Sequence, residues 1–186
     1  MIEVGQATRM RRNDRAMDDG WIRAFLATAP VGVVATVDNG QPFLNSNLFV
    51  YDESRHAIYV HTARTGRTRG NVEADERVAF TAFEMGRLLP ADEALEFSVE
   101  YAGVVAFGRA TVVVDAEEAE EGLQLLLDKY APQLRPGRDY RPITPDELRR
   151  TSVMRIDVSE WSGKRKEAEP DFPGAFRYRE PAPGGS

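Results

Sequence analysis

Three short runs rich in β-branched and aromatic residues, Val31–Val37, Pro42–Tyr51 and Ala57–His61, are separated by only a few polar residues. Gaps this short cannot hold the crossover of a dozen or more residues that parallel strands need, so the runs pair antiparallel. The first gap is Asp38-Asn39-Gly40, a tight-turn signal because Asn and Gly tolerate positive φ. The second is Asp52 to His56. In the third run Ile58 and Val60 alternate with Tyr59 and His61, the period of a strand.

The rest of the chain extends this meander. Arg77–Phe83 alternates as a fourth strand, Leu95–Val114 is a long β-run expected to bend at Gly108, and Val153–Val158 is a sixth strand. Met85–Ala94, with Gly86 and Pro90, reads as a surface loop. Asp18 or Asp19 caps a first helix that carries Trp21, Ile22, Phe25 and Leu26 on one face and ends at Pro30. A short helix is expected over about Thr68–Ala74. Asp115 and Glu118 open a longer one running to Tyr130, in which Ala119, Leu123, Leu126, Leu127 and Tyr130 form the core face and Glu117–Glu121 is solvated. Thr144-Pro145-Asp146-Glu147 starts a last short helix ending near Thr151. Mostly antiparallel strands with few helices imply an α+β barrel or sandwich. Residues 1–17 read as a polar arm, 18–166 as the folded domain, and 167–186, with four Pro and three Gly, as a flexible tail.

Composition narrows the chemistry. The chain has no Cys, which excludes disulfides, thiolate zinc sites, iron–sulfur clusters and Cys nucleophiles. With only His56 and His61, a multi-His metal site is disfavoured and no metal is assigned. A net charge of -6 argues against a nucleic-acid or anionic-membrane binder. No stretch approaches the ~20 apolar residues of a membrane span, and Met1–Arg15 lacks a signal peptide's apolar core, so the expected location is the cytoplasm.

Against that net charge, Ser54–Val72 contains Arg55, His56, His61, Arg64, Arg67 and Arg69 and no acid. Just past the third strand, Thr62, Thr65, Gly66, Arg67, Thr68, Arg69 and Gly70 bring hydroxyls, guanidiniums and Gly-freed amides together. A phosphate monoester is held by such a set. A solvated basic loop is the competing reading. The spacing is neither a P-loop nor a Rossmann fingerprint.

Four stretches together resemble the pyridoxamine 5′-phosphate oxidase-like FMN-binding split β-barrels. They are Val33–Val37 leading to Pro42–Ser46, Ile58–Thr62 followed by Arg67-Thr68-Arg69 and Asn71, Arg77–Thr81, and Tyr101–Ala110. The nitroimidazole-resistance and flavin–nucleotide-binding branch is the most similar, and Arg155–Lys164 is similar to its closing strand. The resemblance implies a six-stranded antiparallel split barrel with flanking helices, a homodimer with two sites at its interface, and bound FMN. It places Leu44, Asn45, Ser46 and Asn47 along the flavin ring and His61, Thr62, Thr65, Arg67 and Arg69 at ribityl and phosphate. Trp161 and Lys164 would reach the ring from the partner subunit. The competing readings are a solvent-facing strand side for Asn45 and Ser46, a core plug for Trp161 and a charge run for Lys164.

The implied activity is an FMN-dependent reductase passing electrons from NAD(P)H to a small acceptor such as a nitroaromatic, with His61 as a proton donor. The oxidase's closing Arg-Leu-x-Pro pattern is missing, so pyridoxamine phosphate oxidation is not carried over. The deazaflavin F420 is the alternative cofactor, and a non-catalytic flavin-binding protein the alternative function. Haem is disfavoured, because only His56 and His61 stand beside Met and Tyr as axial ligands.

Overall fold

The computed structural model describes residues 8–179. In chain order its elements are β1 Ala16–Met17, α1 Asp19–Thr28, β2 Gly32–Asp38, β3 Gln41–Asn47, β4 Phe49–Asp52, β5 Ala57–Ala63, α2 Arg67–Ala74, β6 Arg77–Leu89, β7 Ser98–Val112, α3 Ala116–Tyr130, α4 Pro145–Arg150, β8 Thr151–Lys166 and β9 Phe176–Arg177. One sheet runs β3-β2-β6-β7-β8-β5-β4, with β1 added to β8 and β9 to β6. Every pairing between these strands is antiparallel.

The two outermost strands of that path, β3 and β4, are consecutive in the chain and separated only by Leu48. The sheet therefore curls back on itself without closing its hydrogen-bond ladder, giving an α+β split barrel. The run Pro42–Tyr51 is two strands rather than one, which raises the expected six strands to seven along the main path. Asn39 and Gly40 take φ of 49° and 81° and turn β2 into β3 as their chemistry demands.

The barrel interior is filled by Val34, Phe49, Ile58, Val60, Phe80, Val104, Met154 and Ile156, with Ile22, Phe25 and Leu26 of α1 packed onto them. Each such side chain contributes about 1.5–3 kcal/mol by leaving water. Asp18 starts α1 by accepting from the Trp21 amide at 2.8 Å. On the outside, α3 covers β5 and β8 through a second cluster of Val50, Tyr59, Leu126 and Val153. Asp115 caps α3 through the Glu118 amide, and Thr144 and Glu147 form the expected capping box on α4.

Three expectations need correction. Met85–Ala94 is not a loop throughout: β6 continues to Leu89 across a register shift between Met85 and Leu88. Gly86 fits there because a Cβ would lie 2.7 Å from the Glu100 Cβ, so this Gly marks close packing rather than a break. The bend at Gly108 is present, where a Cβ would meet the Asp157 carbonyl at 2.1 Å. The Glu117–Glu121 face is not simply solvated. Glu118 accepts from the Tyr59 hydroxyl at 2.9 Å and from Arg155 at 2.6 Å, and Glu121 pairs with Arg55. Finally, 167–179 are docked onto the barrel. The Arg87 guanidinium pairs with Glu100 and donates to the carbonyls of Ala168, Glu169 and Pro170, and β9 pairs with β6. Residues 1–7 and 180–186 of the arm and tail lie outside the described residues.

Candidate functional site

Helix α2 lies over β2 beside β3, and a buried polar contact seats it there. The Asn71 side chain donates to the Thr36 hydroxyl at 2.9 Å, both groups being shielded from water. An unpaired Thr36 hydroxyl in that position would cost roughly 1–3 kcal/mol, so the pair fixes where α2 begins. Gly66 stands at its N-cap with φ 151°, a conformation that favours glycine, and offers no side chain to the helix amides. The first turn of α2 contains no acid. Helical geometry leaves the amides of Arg67, Thr68 and Arg69 without intrahelical acceptors, at the positive end of the helix dipole.

Side chains gather around this helix start. Thr68 is buried and accepts from Asn45 Nδ2 at 3.2 Å. Asn47 Nδ2 donates to the Asn45 carbonyl at 2.9 Å. The Arg67 guanidinium lies 4.7 Å from the centre of the Phe43 ring, and among the described residues it has no carboxylate partner. Arg69 is partly engaged, donating to Glu73 at 2.8 Å and to the Ser152 hydroxyl at 3.3 Å. Ser152 pairs with Thr62 across β8 and β5, so Thr62 shares the α2 side. Thr65 is exposed just before the N-cap. Arg64 leaves the group and donates to the Arg149 carbonyl at the end of α4.

Strand alternation divides the four β3 residues that the resemblance places along one ring. Phe43, Asn45 and Asn47 oppose Thr36, Val34 and Gly32 and turn toward α2 and the interior. Leu44 and Ser46 oppose Ala35 and Val33 on the other face. Leu44, 64% exposed, Phe83, 68% exposed, and Val105 are apolar side chains exposed on the outer face of the sheet. As an edge strand, β3 also has every second N–H and C=O turned away from β2 and free for a ligand.

His61 is parted from its neighbour Thr62 in the same way. It lies on the side of β5 that carries Ala57 and Tyr59 and faces α3, at the wall of a cleft of about 620 Å³. Leu123 and Tyr130 pack against the α3 cluster as expected and also line this cleft, whereas Leu127, expected as core, is exposed at it. Trp161 is a packing residue within its own chain. Its Nε1 donates to Asp19 at 2.8 Å, and its ring lies 5.4 Å from Tyr51 and 4.6 Å from His56. Lys164 lies over the Tyr101 ring, whose hydroxyl accepts from Arg15 at 3.0 Å. Burial pushes the Tyr101 phenol up, but the cations Arg15 and Lys164 outweigh it and hold its pKa below the usual value. Phe43, Thr36 and Ser152 were not singled out in the sequence, and Asn71 was given no role at the site. Asn71 carried a usable signal, a short polar side chain on the helix right after the basic loop.

Among the described residues no helix is long and apolar enough to cross a membrane. No protein of curated function matches the chain. Solved structures similar to it share the fold at low identity. The flavocytochrome Anf3 from Azotobacter vinelandii is 24% identical with a TM-score of 0.75, the match covering 100% of this chain and 93% of that one. The FAD and haem binding protein from Mycobacterium smegmatis is 23% identical with a TM-score of 0.72, covering 83% and 74%. A Bacteroides thetaiotaomicron structure named for 5-nitroimidazole antibiotic resistance is 18% identical with a TM-score of 0.67, covering 81% and 86%. The model of the pyridoxamine 5′-phosphate oxidase family matches residues 18–165, nearly the whole barrel, and the chain belongs to that family.

Proposed function

We propose that the protein binds FMN, with its 5′-phosphate at the start of α2 and its ring along the free edge of β3. The observation that carries this is the acid-free, uncapped N-terminus of α2, with Arg67 beside it and unpaired by any carboxylate among the described residues. A phosphate there gains three amide donors, the helix dipole and one guanidinium fork. The flavin names of similar structures support the same reading. Bound flavin supplies hydride and electron transfer.

The chain's own residues bind and orient. Arg67 and the α2 amides hold the phosphate; Arg69, already shared with Glu73, contributes less. Asn45, locked to Thr68, fixes the backbone of β3 under the ring. His61 faces another cleft and is left out of this site, which argues against its role as proton donor. The outer surface with Leu44 and Phe83 is apolar enough to seat a second copy of the chain, supporting a homodimer with the ring at its interface. The activity would be reduction of a small acceptor such as a nitroaromatic by NAD(P)H.

A visible spectrum of the purified protein, with mass analysis of what heat releases, tests the cofactor. Flavin bands and an FMN mass are expected. An FAD or F420 mass would replace FMN while keeping the phosphate end in place, and absence of uptake on FMN titration would overturn the reading. Reduction by NAD(P)H with turnover of a nitroaromatic separates a reductase from a non-catalytic flavin carrier.

A further inference from the structure

The outer face of the sheet has a gap across its three longest strands, β6, β7 and β8. Gly103 of β7 pairs with Phe83 of β6 on one side and with Lys164 of β8 on the other. Val104 and Ala106 point into the core, so Tyr101, Gly103 and Val105 share the outer face. The backbone does not require a glycine at 103. Its φ is not positive, and an added Cβ would meet the Phe83 Cβ at 3.4 Å, an ordinary contact. Glycine inside a strand weakens it, and one without a backbone reason marks the close approach of another group. Here it leaves a trough with Phe83 as its apolar wall and Lys164 as its cationic one.

Separate segments build the cationic end. Strand β1 pairs Ala16 with Lys164, which brings Arg15 alongside. The Arg15 guanidinium donates to the Tyr101 hydroxyl at 3.0 Å, and Lys164 Nζ lies 5.4 Å from the centre of the same ring. Carboxylates do not neutralise these two cations. Arg165 pairs with Glu167, but Lys164 has no acidic partner among the described residues. Asp14, 3.9 Å from Arg15, is held by two hydrogen bonds from Arg12.

We propose that this trough binds an aromatic carboxylic acid, its ring over Gly103 against Phe83 and its carboxylate between Arg15 and Lys164. A planar ring suits a position without a side chain beside a phenyl group. Two cationic donors suit a carboxylate. The Tyr101 hydroxyl accepts from Arg15, which leaves its own proton for the same carboxylate. A phosphate monoester is served less well. Strand β7 is paired on both sides here, so its amides are spent in the ladders, unlike those at the start of α2. The acid is thereby the class of small acceptor in the proposed function, and the proposal rests on that reading for its redox role alone. The second copy proposed for this face closes the open side of the trough.

The test is calorimetric titration of the full-length protein, as isolated, with para-nitrobenzoate and, in parallel, with the uncharged para-nitrobenzamide. The acid is expected to bind at least about tenfold more tightly, the worth of one charge-assisted hydrogen bond. Lys164→Ala removes that preference and leaves the amide's affinity unchanged. Gly103→Val, a residue that strands favour, fills the trough and weakens both ligands at least about tenfold with flavin content unaltered. Circular dichroism establishes that the variants are folded, and Gly103→Ala serves if the valine variant is not. Equal affinity of the wild type for acid and amide would overturn the proposal, as would no binding of either. So would a preference that survives in Lys164→Ala, or binding undiminished in Gly103→Val. Loss of flavin from Gly103→Val also overturns it, by giving the trough to the flavin. A wild type that takes up no FMN yet binds the acid keeps the trough and refutes the FMN reading alone.

Discussion

Strand β5 is a wall between two unlike sites. On its α2 side, Thr62 looks toward Ser152, Arg69 and a helix start rich in free amides. On its α3 side, one residue earlier, His61 looks into a cleft of leucine, isoleucine and tyrosine. The first region is built to attract charge: it lacks acids, its helix is uncapped, and Arg67 has a ring rather than a carboxylate for a neighbour. The second is lined mostly by apolar side chains. The contrast teaches that the basic segment Ser54–Val72 is not one functional unit. Arg55 serves Asp52 and Glu121, His56 serves Tyr51, Arg64 serves α4, and only the stretch from Gly66 onward is left for the phosphate proposed there.

The widest separation between the two sides is expected from Arg67→Ala combined with Arg69→Ala. Charge-assisted hydrogen bonds are worth roughly 1.5–3 kcal/mol each, so FMN affinity falls ~100-fold or more. Fluorescence titration measures this, and the single Arg67 variant should account for most of it. Undiminished FMN content in the double variant would remove the phosphate from α2.

Asn71→Ala comes next. It strips the buried Thr36 hydroxyl of its donor and loosens α2, costing roughly 1–3 kcal/mol in urea unfolding and weakening flavin in parallel. A stability loss without any flavin effect would mean that α2 need not be seated for binding.

The α3 side has its own signature in pH. Burial among apolar groups pushes the Lys129 ammonium down to about 8. Its charge lies over the Phe49 ring and donates to the Leu26 carbonyl at 2.9 Å. The folded pKa lies below the unfolded one near 10.5, so the unfolded chain binds more protons between these values. The Lys129 contribution is therefore fully present above about pH 10.5 and is lost as pH falls through about 8. Urea midpoints of wild type should rise relative to Lys129→Met across that window, and parallel profiles would show that Lys129 keeps its ordinary pKa.

The smallest effect is expected at Arg64→Ala, whose guanidinium bonds only the Arg149 carbonyl. Stability should stay within about 0.5 kcal/mol and FMN affinity within about threefold. A large drop in affinity would extend the cradle past Gly66.

Much of the fold was legible because its signals are local. Asp18, Asp115 and Thr144 cap helices wherever the chain goes next, and Asn39-Gly40 turns because of its own φ preferences. Breakers were less trustworthy. Gly86 sits inside β6, since partner strand β7 and the Arg87–Glu100 pair hold it there. The candidate site was half legible. Thr62, Arg67 and Arg69 gather near the start of α2, but that Thr68 and Asn71 position the helix, through Asn45 and Thr36, could not be read, because those partners lie 23 and 35 residues away. Trp161 could be read as a ring-stacking residue because nothing nearby in sequence announces Asp19, Tyr51 or His56.

The sequence by itself determined that Leu44 and Asn45, like His61 and Thr62, must face opposite ways, because side chains alternate along any strand. It also determined that an acid-free cluster of Arg, Gly and Thr follows the third run of the meander. Only the tertiary structure decided which face meets what. That depends on α2 settling over β2 and α3 over β5, contacts between residues 35 to 66 positions apart in the chain. Long-range packing of this kind gives each alternating face its neighbours, and so split one basic segment between an acid-free helix start on one side of β5 and an apolar cleft on the other.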